Sequence, residues 1–251
     1  MLYTLKKSLG QHFLKDEDIC KRIVTVLQED PCKQLLEVGP GGGALTKYIL
    51  KLEGFDFKAV ELDTEKIDFL NGAFPLIRGK IIHQSILDID IPFEGKFTVI
   101  GNFPYNISSQ ILFKILEWKE QVPVMIGMFQ KEVAQRIAAP PGSKTYGILS
   151  VLVQAFYEVE YLFDVPPESF KPAPKVMSGV IRLKRKLEDV PFKNEKLFFN
   201  LVKTAFNQRR KTFRNATRSL FDEDIMKEEI FNKRAEQISI ADFAALTFKL
   251  K

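Results

Sequence analysis

The run Gln34-Leu35-Leu36-Glu37-Val38-Gly39-Pro40-Gly41-Gly42-Gly43-Ala44 decides the fold. A short apolar stretch breaks into a glycine-rich turn, and the residues after it predict a helix over 44–52, which together read as strand, turn, helix. Gly39, Gly41 and Ala44 satisfy the spacing G-x-G-x-x-G/A. Glycines there let the backbone approach a ligand, and the helix N-terminus offers it free N–H groups. Glu61, twenty residues after Gly41, ends the next predicted strand, where a carboxylate can accept from ribose hydroxyls. These features suit any adenosine-containing cofactor, NAD or S-adenosylmethionine. Glu37 tilts the choice, because a carboxylate at the mouth of the strand opposes a pyrophosphate and attracts a sulfonium.

Working outward, Asp16 is placed to cap a helix carrying Ile19, Ile23, Val24, Val26 and Leu27 at helical spacing, and Asp63 to cap another through Phe69 and Leu70. Strands are expected over 57–62, 80–84, 97–100 and 122–129, with a helix over 108–118. Alternating strands and helices imply βαβ units and a mostly parallel sheet covered on both faces. After Gly147 the pattern changes. Residues 148–155 read as helix or strand. Residues 157–165 and 176–183 alternate like strands and must be antiparallel, given so short a connection. Helices are expected over 195–207, 222–232 and 240–248. The domain boundary falls near Leu187, giving a catalytic domain over 1–186 and a helical one over 187–251.

The fourth core strand ends in Gly101-Asn102-Phe103-Pro104-Tyr105-Asn106, and in an open α/β sheet ligands bind beyond such strand ends. Asn102 to Tyr105 resembles the [D/N/S]-P-P-Y class of motif, with Phe103 in place of its first proline, carried by methyltransferases that act on amino groups conjugated to an aromatic ring. The exocyclic N6 of adenine is a poor nucleophile because its lone pair is delocalised. Two acceptors, the Asn102 side-chain oxygen and the Phe103 carbonyl, can localise that pair and stabilise the charge growing on N6. Pro104 stiffens the turn, and Tyr105 offers a stacking face for an unstacked base. With the methyl group already activated, no catalytic His, Cys or metal is required.

The 251 residues carry a net charge of +5, unevenly spread. Lys171 to Lys186 holds six basic residues and no acid, and Lys203 to Arg218 (Lys203, Arg209, Arg210, Lys211, Arg214, Arg218) holds six more and no acid. Segregated positive charge in an otherwise acidic chain points to nucleic acid. The apolar content of 45% and charged content of 27% exclude a disordered chain. No apolar run reaches the ~18 residues of a membrane span, and the N-terminus lacks the pattern of a signal peptide, so a cytoplasmic protein is expected. Two cysteines and two histidines, scattered, give no metal site or disulfide framework.

The chain resembles the ribosomal RNA adenine dimethyltransferases, specifically those of the small subunit. The resemblance rests on Ser8 to Leu14 (SLGQHFL), the glycine loop, Val60 to Asp63 (VELD) and Asn102 to Ser108 (NFPYNIS). It continues through Gln130 to Val133 with Arg136, Pro141 to Val151, Phe170 to Val176 (FKPAPKV) and Gln208 to Asn215 (QRRKTFRN). It implies a class I methyltransferase, a Rossmann-like sheet of seven strands with the last antiparallel, and a small all-α C-terminal domain that helps grip RNA. It implies S-adenosylmethionine-dependent N6,N6-dimethylation of two adjacent adenosines in the 3′-terminal hairpin of 16S rRNA, within the immature small subunit late in its assembly, by a cytoplasmic monomer. By the same resemblance His12 and Leu14 close over the cofactor, Gly39, Glu61, Leu62 and Asn102 contact it, and Phe170 stacks on the target base opposite Tyr105. Two positions depart from the family: Phe103 stands where Leu is usual, and Ser85 where an Asp usually contacts the cofactor's adenine amino group. Two other readings compete: a large-subunit dimethyltransferase of the macrolide-resistance type, and an RNA-binding factor that checks assembly, with methylation incidental.

Overall fold

The computed structural model describes residues 12–29, 32–208 and 210–251. Its strands are β1 (Phe13–Leu14), β2 (Gln34–Val38), β3 (Asp56–Glu61), β4 (Ile81–His83), β5 (Phe97–Asn102), β6 (Val124–Gln130), β7 (Tyr157–Val165), β8 (Phe170–Lys171) and β9 (Ser178–Arg185). Its α-helices are α1 (Glu17–Thr25), α2 (Thr46–Ile49), α3 (Thr64–Ala73), α4 (Ser108–Glu117), α5 (Lys131–Ile137), α6 (Ile148–Gln154), α7 (Glu195–Asn207), α8 (Phe213–Ala216) and α9 (Ile240–Leu246).

Seven strands form one sheet in the order β4-β3-β2-β5-β6-β9-β7. β2 through β6 pair in parallel, and β9 runs antiparallel to β6 with Val124 opposite Lys184 and Gln130 opposite Ser178. This is the class I methyltransferase sheet. β5 and β6 are buried along nearly their whole length, as expected of parallel strands covered on both faces. From β2 the chain first moves outward to β3 and β4, then returns to the other side of β2 as β5. The strand order therefore reverses at β2 and β5, and such a point opens a crevice at the C-terminal strand ends. The remaining strands, β1 and β8, form a separate antiparallel ribbon with Phe13 opposite Lys171 and Leu14 opposite Phe170.

Helix starts follow their caps. The Asp16 carboxylate accepts the N–H groups of Asp18 and Ile19 to open α1, and Asp63 accepts that of Glu65 to open α3. The helix expected over 44–52 is shorter, with only Thr46–Ile49 regular and turns on either side. The helix expected over 222–232 is instead two 3₁₀ turns, Ile225–Lys227 and Glu229–Asn232, separated by an extended Glu228. The buried residues there, Met226 and Phe231, are five apart, and a five-residue spacing does not return to one face of an α-helix. Among the described residues no helix is long and apolar enough to cross a membrane.

The chain divides into two compact units. One comprises the described residues up to Ala134 together with Glu160–Arg185, and the other Gln135–Val159 with Lys186–Lys251. The first is cored by aliphatic residues such as Ile23, Leu35, Ala59, Leu70, Ile100 and Ile126. The second is cored largely by aromatic rings: Phe206, Phe213, Phe221, Phe231 and Phe243 form one chain of contacts, and Phe156, Phe192, Phe198 and Phe199 another. Residues 135–159 belong with this second unit because α6 packs on α7 and the Lys186 ammonium donates to the Gln154 carbonyl at 2.6 Å.

Candidate active site

A cleft lies at the C-terminal ends of β2, β3 and β5. His12, Leu14, Glu37, Gly39, Gly41, Glu61, Leu62, Ser85 and Asn102, all expected at a cofactor site, line it together with Phe103, Pro104 and Tyr105. The glycine turn shapes its floor. Gly41 has φ +56°, and a Cβ there would lie 3.1 Å from the Phe13 ring, so a side chain would strain the backbone and crowd the cleft. The Glu61 carboxylate fixes the turn to the end of β3, accepting N–H groups from Gly41 at 3.1 Å and from Leu62 and Asp63 at 3.0 Å each. Glu61 thus holds the loop as well as lining the cavity. Ser85, where the resemblance led one to expect an Asp, accepts the Leu87 N–H at 3.2 Å through its hydroxyl.

Glu37 is only 1% exposed, and the Thr46 hydroxyl donates to it at 2.7 Å. Burial, reinforced by the charge of Glu61, raises its pKa to about 8 against the effect of that hydrogen bond. A buried carboxyl beside a second carboxylate is ready to ionise when a cation arrives, which is the behaviour a sulfonium cofactor requires. The residue present therefore fits the cofactor.

The end of β5 carries the second half of the site. The Asn102 amide nitrogen donates to the His12 carbonyl at 3.1 Å, which leaves Oδ1 as the acceptor not used by that bond. The Phe103 N–H donates to the Met128 carbonyl at 3.2 Å. Its ring is fully buried and accommodated by two glycines facing each other on β5 and β6: a Cβ on Gly101 would come within 2.6 Å of the ring, and one on Gly127 within 2.4 Å. The bulk of the Phe103 ring is therefore taken up largely by the sheet. The Tyr105 hydroxyl hydrogen-bonds the buried Ser178 at 2.6 Å, and burial raises its pKa. The His12 ring stacks on Tyr105 at 5.5 Å, and its Nδ1 lies 2.9 Å from the Pro172 carbonyl.

The proline-rich stretch after Val165 holds residues 13–16 in place. Beside the β1–β8 pairing, the Lys15 N–H donates to Ser169 O at 2.9 Å, and the Ser169 hydroxyl to Asp16 at 3.0 Å. Phe170, expected to stack on the target base, is 2% exposed within the core, beside the cleft-lining Leu14. Its register partner across the β1–β8 ribbon is Leu14. Sequence reasoning missed Thr46, Ser178 and Pro172, partners far away in the chain or without a motif of their own.

The two basic windows differ. In the first, Arg182 pairs with Glu29 and Glu160, and Arg185 with Glu120, so these cations are neutralised within the fold; Lys171 and Lys175 stay exposed. In the second, Lys203, Arg210, Lys211, Arg214 and Arg218 are all exposed, with Arg214 also donating to Asn232 at 3.0 Å. Arg209 and the string 8–11 lie outside the described residues.

The model of the family described as ribosomal RNA adenine dimethylase matches residues 3–249. The chain belongs to the ribosomal RNA adenine dimethylase family. It is an S-adenosylmethionine-dependent methyltransferase. A ribosomal RNA small subunit methyltransferase A from Cytophaga hutchinsonii is 52% identical over 246 residues, covering 96% of this chain and 95% of that protein. Another protein of that name, from Flavobacterium johnsoniae, is 52% identical over 98% of this chain and 95% of its own. A crystal structure of a dimethyladenosine transferase from Plasmodium falciparum shares the fold of this dimethylase, with a TM-score of 0.79, 24% identity, and coverage of 92% of this chain and 94% of that one.

Proposed function

We propose that this dimethylase transfers methyl groups to N6 of two adjacent adenosines in the 3′-terminal hairpin of 16S rRNA. It does so on the immature small subunit late in assembly, as a monomer in the cytoplasm. The substrate reading is supported by the names of relatives 52% identical over nearly the whole chain. The catalytic reading is carried by one observation: the Asn102 amide nitrogen donates to the His12 carbonyl, which leaves Oδ1 as an acceptor outside that bond.

The glycine loop at Gly39 and Gly41, with Glu61, Leu62 and Ser85, holds the adenosine end of the cofactor, and Glu37 faces its cationic end. When bound, the cofactor supplies an activated methyl group. The chain's own task is to prepare the amine. Asn102 Oδ1 and the Phe103 carbonyl accept the two N6 hydrogens, draw the lone pair out of the ring and stabilise the developing positive charge. The ring of Tyr105, fixed by Ser178, supplies a stacking face for the adenine. The excess proton on the methylated amine leaves to water, so no strong base is needed. Residues 187–251 grip RNA through Lys203, Arg209, Arg210, Lys211, Arg214 and Arg218.

The test is incubation of labelled S-adenosylmethionine with undermethylated small subunits and, separately, with undermethylated large subunits, followed by mapping of the modified nucleotides. Label on two neighbouring adenosines near the 3′ end supports the proposal. Label on large-subunit RNA alone, or on no adenosine, overturns it.

A further inference from the structure

We propose that Lys66 is a cofactor-positioning residue, whose ammonium donates to the ribose hydroxyls of S-adenosylmethionine while Glu61 accepts from them. Lysine is almost never fully buried, and removing an ammonium from water is costly. Yet Lys66, in the first turn of α3, is 3% exposed and lines the same cleft as Glu61 and Leu62. Its Nζ lies 5.4 Å from the centroid of the Phe13 ring. That ring lies against Gly41, whose N–H donates to Glu61 at 3.1 Å. The Phe13 ring thus stands between the ammonium and the loop that Glu61 holds, and Lys66 and Glu61 line one cleft.

The chemistry of a diol fits this pair. Each hydroxyl both donates and accepts; a carboxylate can only accept and an ammonium can only donate. A fixed cation would be repelled by a sulfonium, so it is tolerated best at the uncharged ribose. The Ser85 hydroxyl already accepts from Leu87 and grips less firmly than a carboxylate, so a second anchor at the adenosine end restores affinity.

The inference rests on the cleft holding the cofactor, and the test separates the two. Dissociation constants are measured by calorimetry for wild type, Lys66→Met and Glu61→Gln. The ligands are S-adenosylhomocysteine, its 2′,3′-dideoxy analogue, and 5′-methylthioadenosine, which keeps the ribose and lacks the amino-acid end. Lys66→Met should weaken S-adenosylhomocysteine and methylthioadenosine alike, by roughly tenfold, the loss of one charge-assisted hydrogen bond. It should scarcely change binding of the dideoxy analogue. Unchanged affinity for S-adenosylhomocysteine overturns the inference. So does an equal loss for the dideoxy analogue, or a loss confined to S-adenosylhomocysteine, which would assign the cation to the carboxylate. If Glu61→Gln leaves all three unaffected, the cleft reading itself fails. Should Lys66→Met not fold, Lys66→Leu, which also lacks a donor, carries the same comparison.

Discussion

Gly127→Ala probes the seat of Phe103. A Cβ at Gly127 would stand 2.4 Å from the Phe103 ring and 2.7 Å from the Phe129 ring. Carbon atoms in good contact sit about 3.5–4.0 Å apart, so both rings must retreat by roughly 1 Å. Phe103 is 1% exposed and Phe129 fully buried, which leaves little room. Overpacking of this kind costs about 1–3 kcal/mol. The entropy gained by replacing glycine returns about 0.4–1 kcal/mol, for a net loss of roughly 1–2 kcal/mol, measurable as a lower urea midpoint. Moving the ring also moves the Phe103 carbonyl, and a displacement of ~1 Å in a reacting constellation can cost about 10²-fold in rate. Single-turnover methyl transfer to undermethylated rRNA should fall accordingly. Phe103→Leu removes the nearer of the two clashes, so the double variant should recover ~1 kcal/mol relative to additivity. Wild-type stability and rate for Gly127→Ala, or an unchanged loss when Phe103→Leu is present, would refute this packing.

Glu37 predicts a proton linkage. Its pKa is about 8 in the folded protein against an ordinary 4.5, so between these values the folded state binds more protons than the unfolded one. This group's contribution to apo stability therefore declines as pH rises through that window. Cofactor binding should expel the proton, seen by calorimetry in buffers of different ionisation heat, and Glu37→Gln should remove that release; equal release by the variant would assign it elsewhere. Neutralising Lys203, Arg210 and Lys211 should lower the salt slope of RNA binding by about 2, at ~0.7 per phosphate contact, whereas an unchanged slope would place the RNA elsewhere. Ser85→Asp should tighten cofactor binding in equilibrium dialysis, and an unaltered dissociation constant would mean the hydroxyl suffices.

Much of the cofactor half of the site is legible because its signals are local. The apolar run of β2, the glycine turn, Glu61 and the caps Asp16 and Asp63 each act within a few residues of where they stand. Asn102 to Tyr105 is equally local, since strand and turn present the whole string at once. Less legible is whatever depends on distant pairing. β1 and β8 have two residues each, too few for any periodicity, and join segments more than 150 residues apart. That pairing sets Phe170 opposite Leu14, which its flanking prolines do not signal. Charge counting treats every cation alike, and so overstates the window 171–186, where Arg182 and Arg185 are spent on acids far away in the chain. Lys66 reads as an ordinary helix-surface residue until its burial is known.

The central claim is that a fixed amide oxygen and a neighbouring carbonyl activate an aromatic amine. The most direct measurement is the single-turnover rate of Asn102→Ala, at saturating cofactor and undermethylated small subunits so that affinity does not enter. Loss of a preorganised acceptor should slow transfer by about 10²–10³-fold. A rate within a few-fold of wild type would contradict the account.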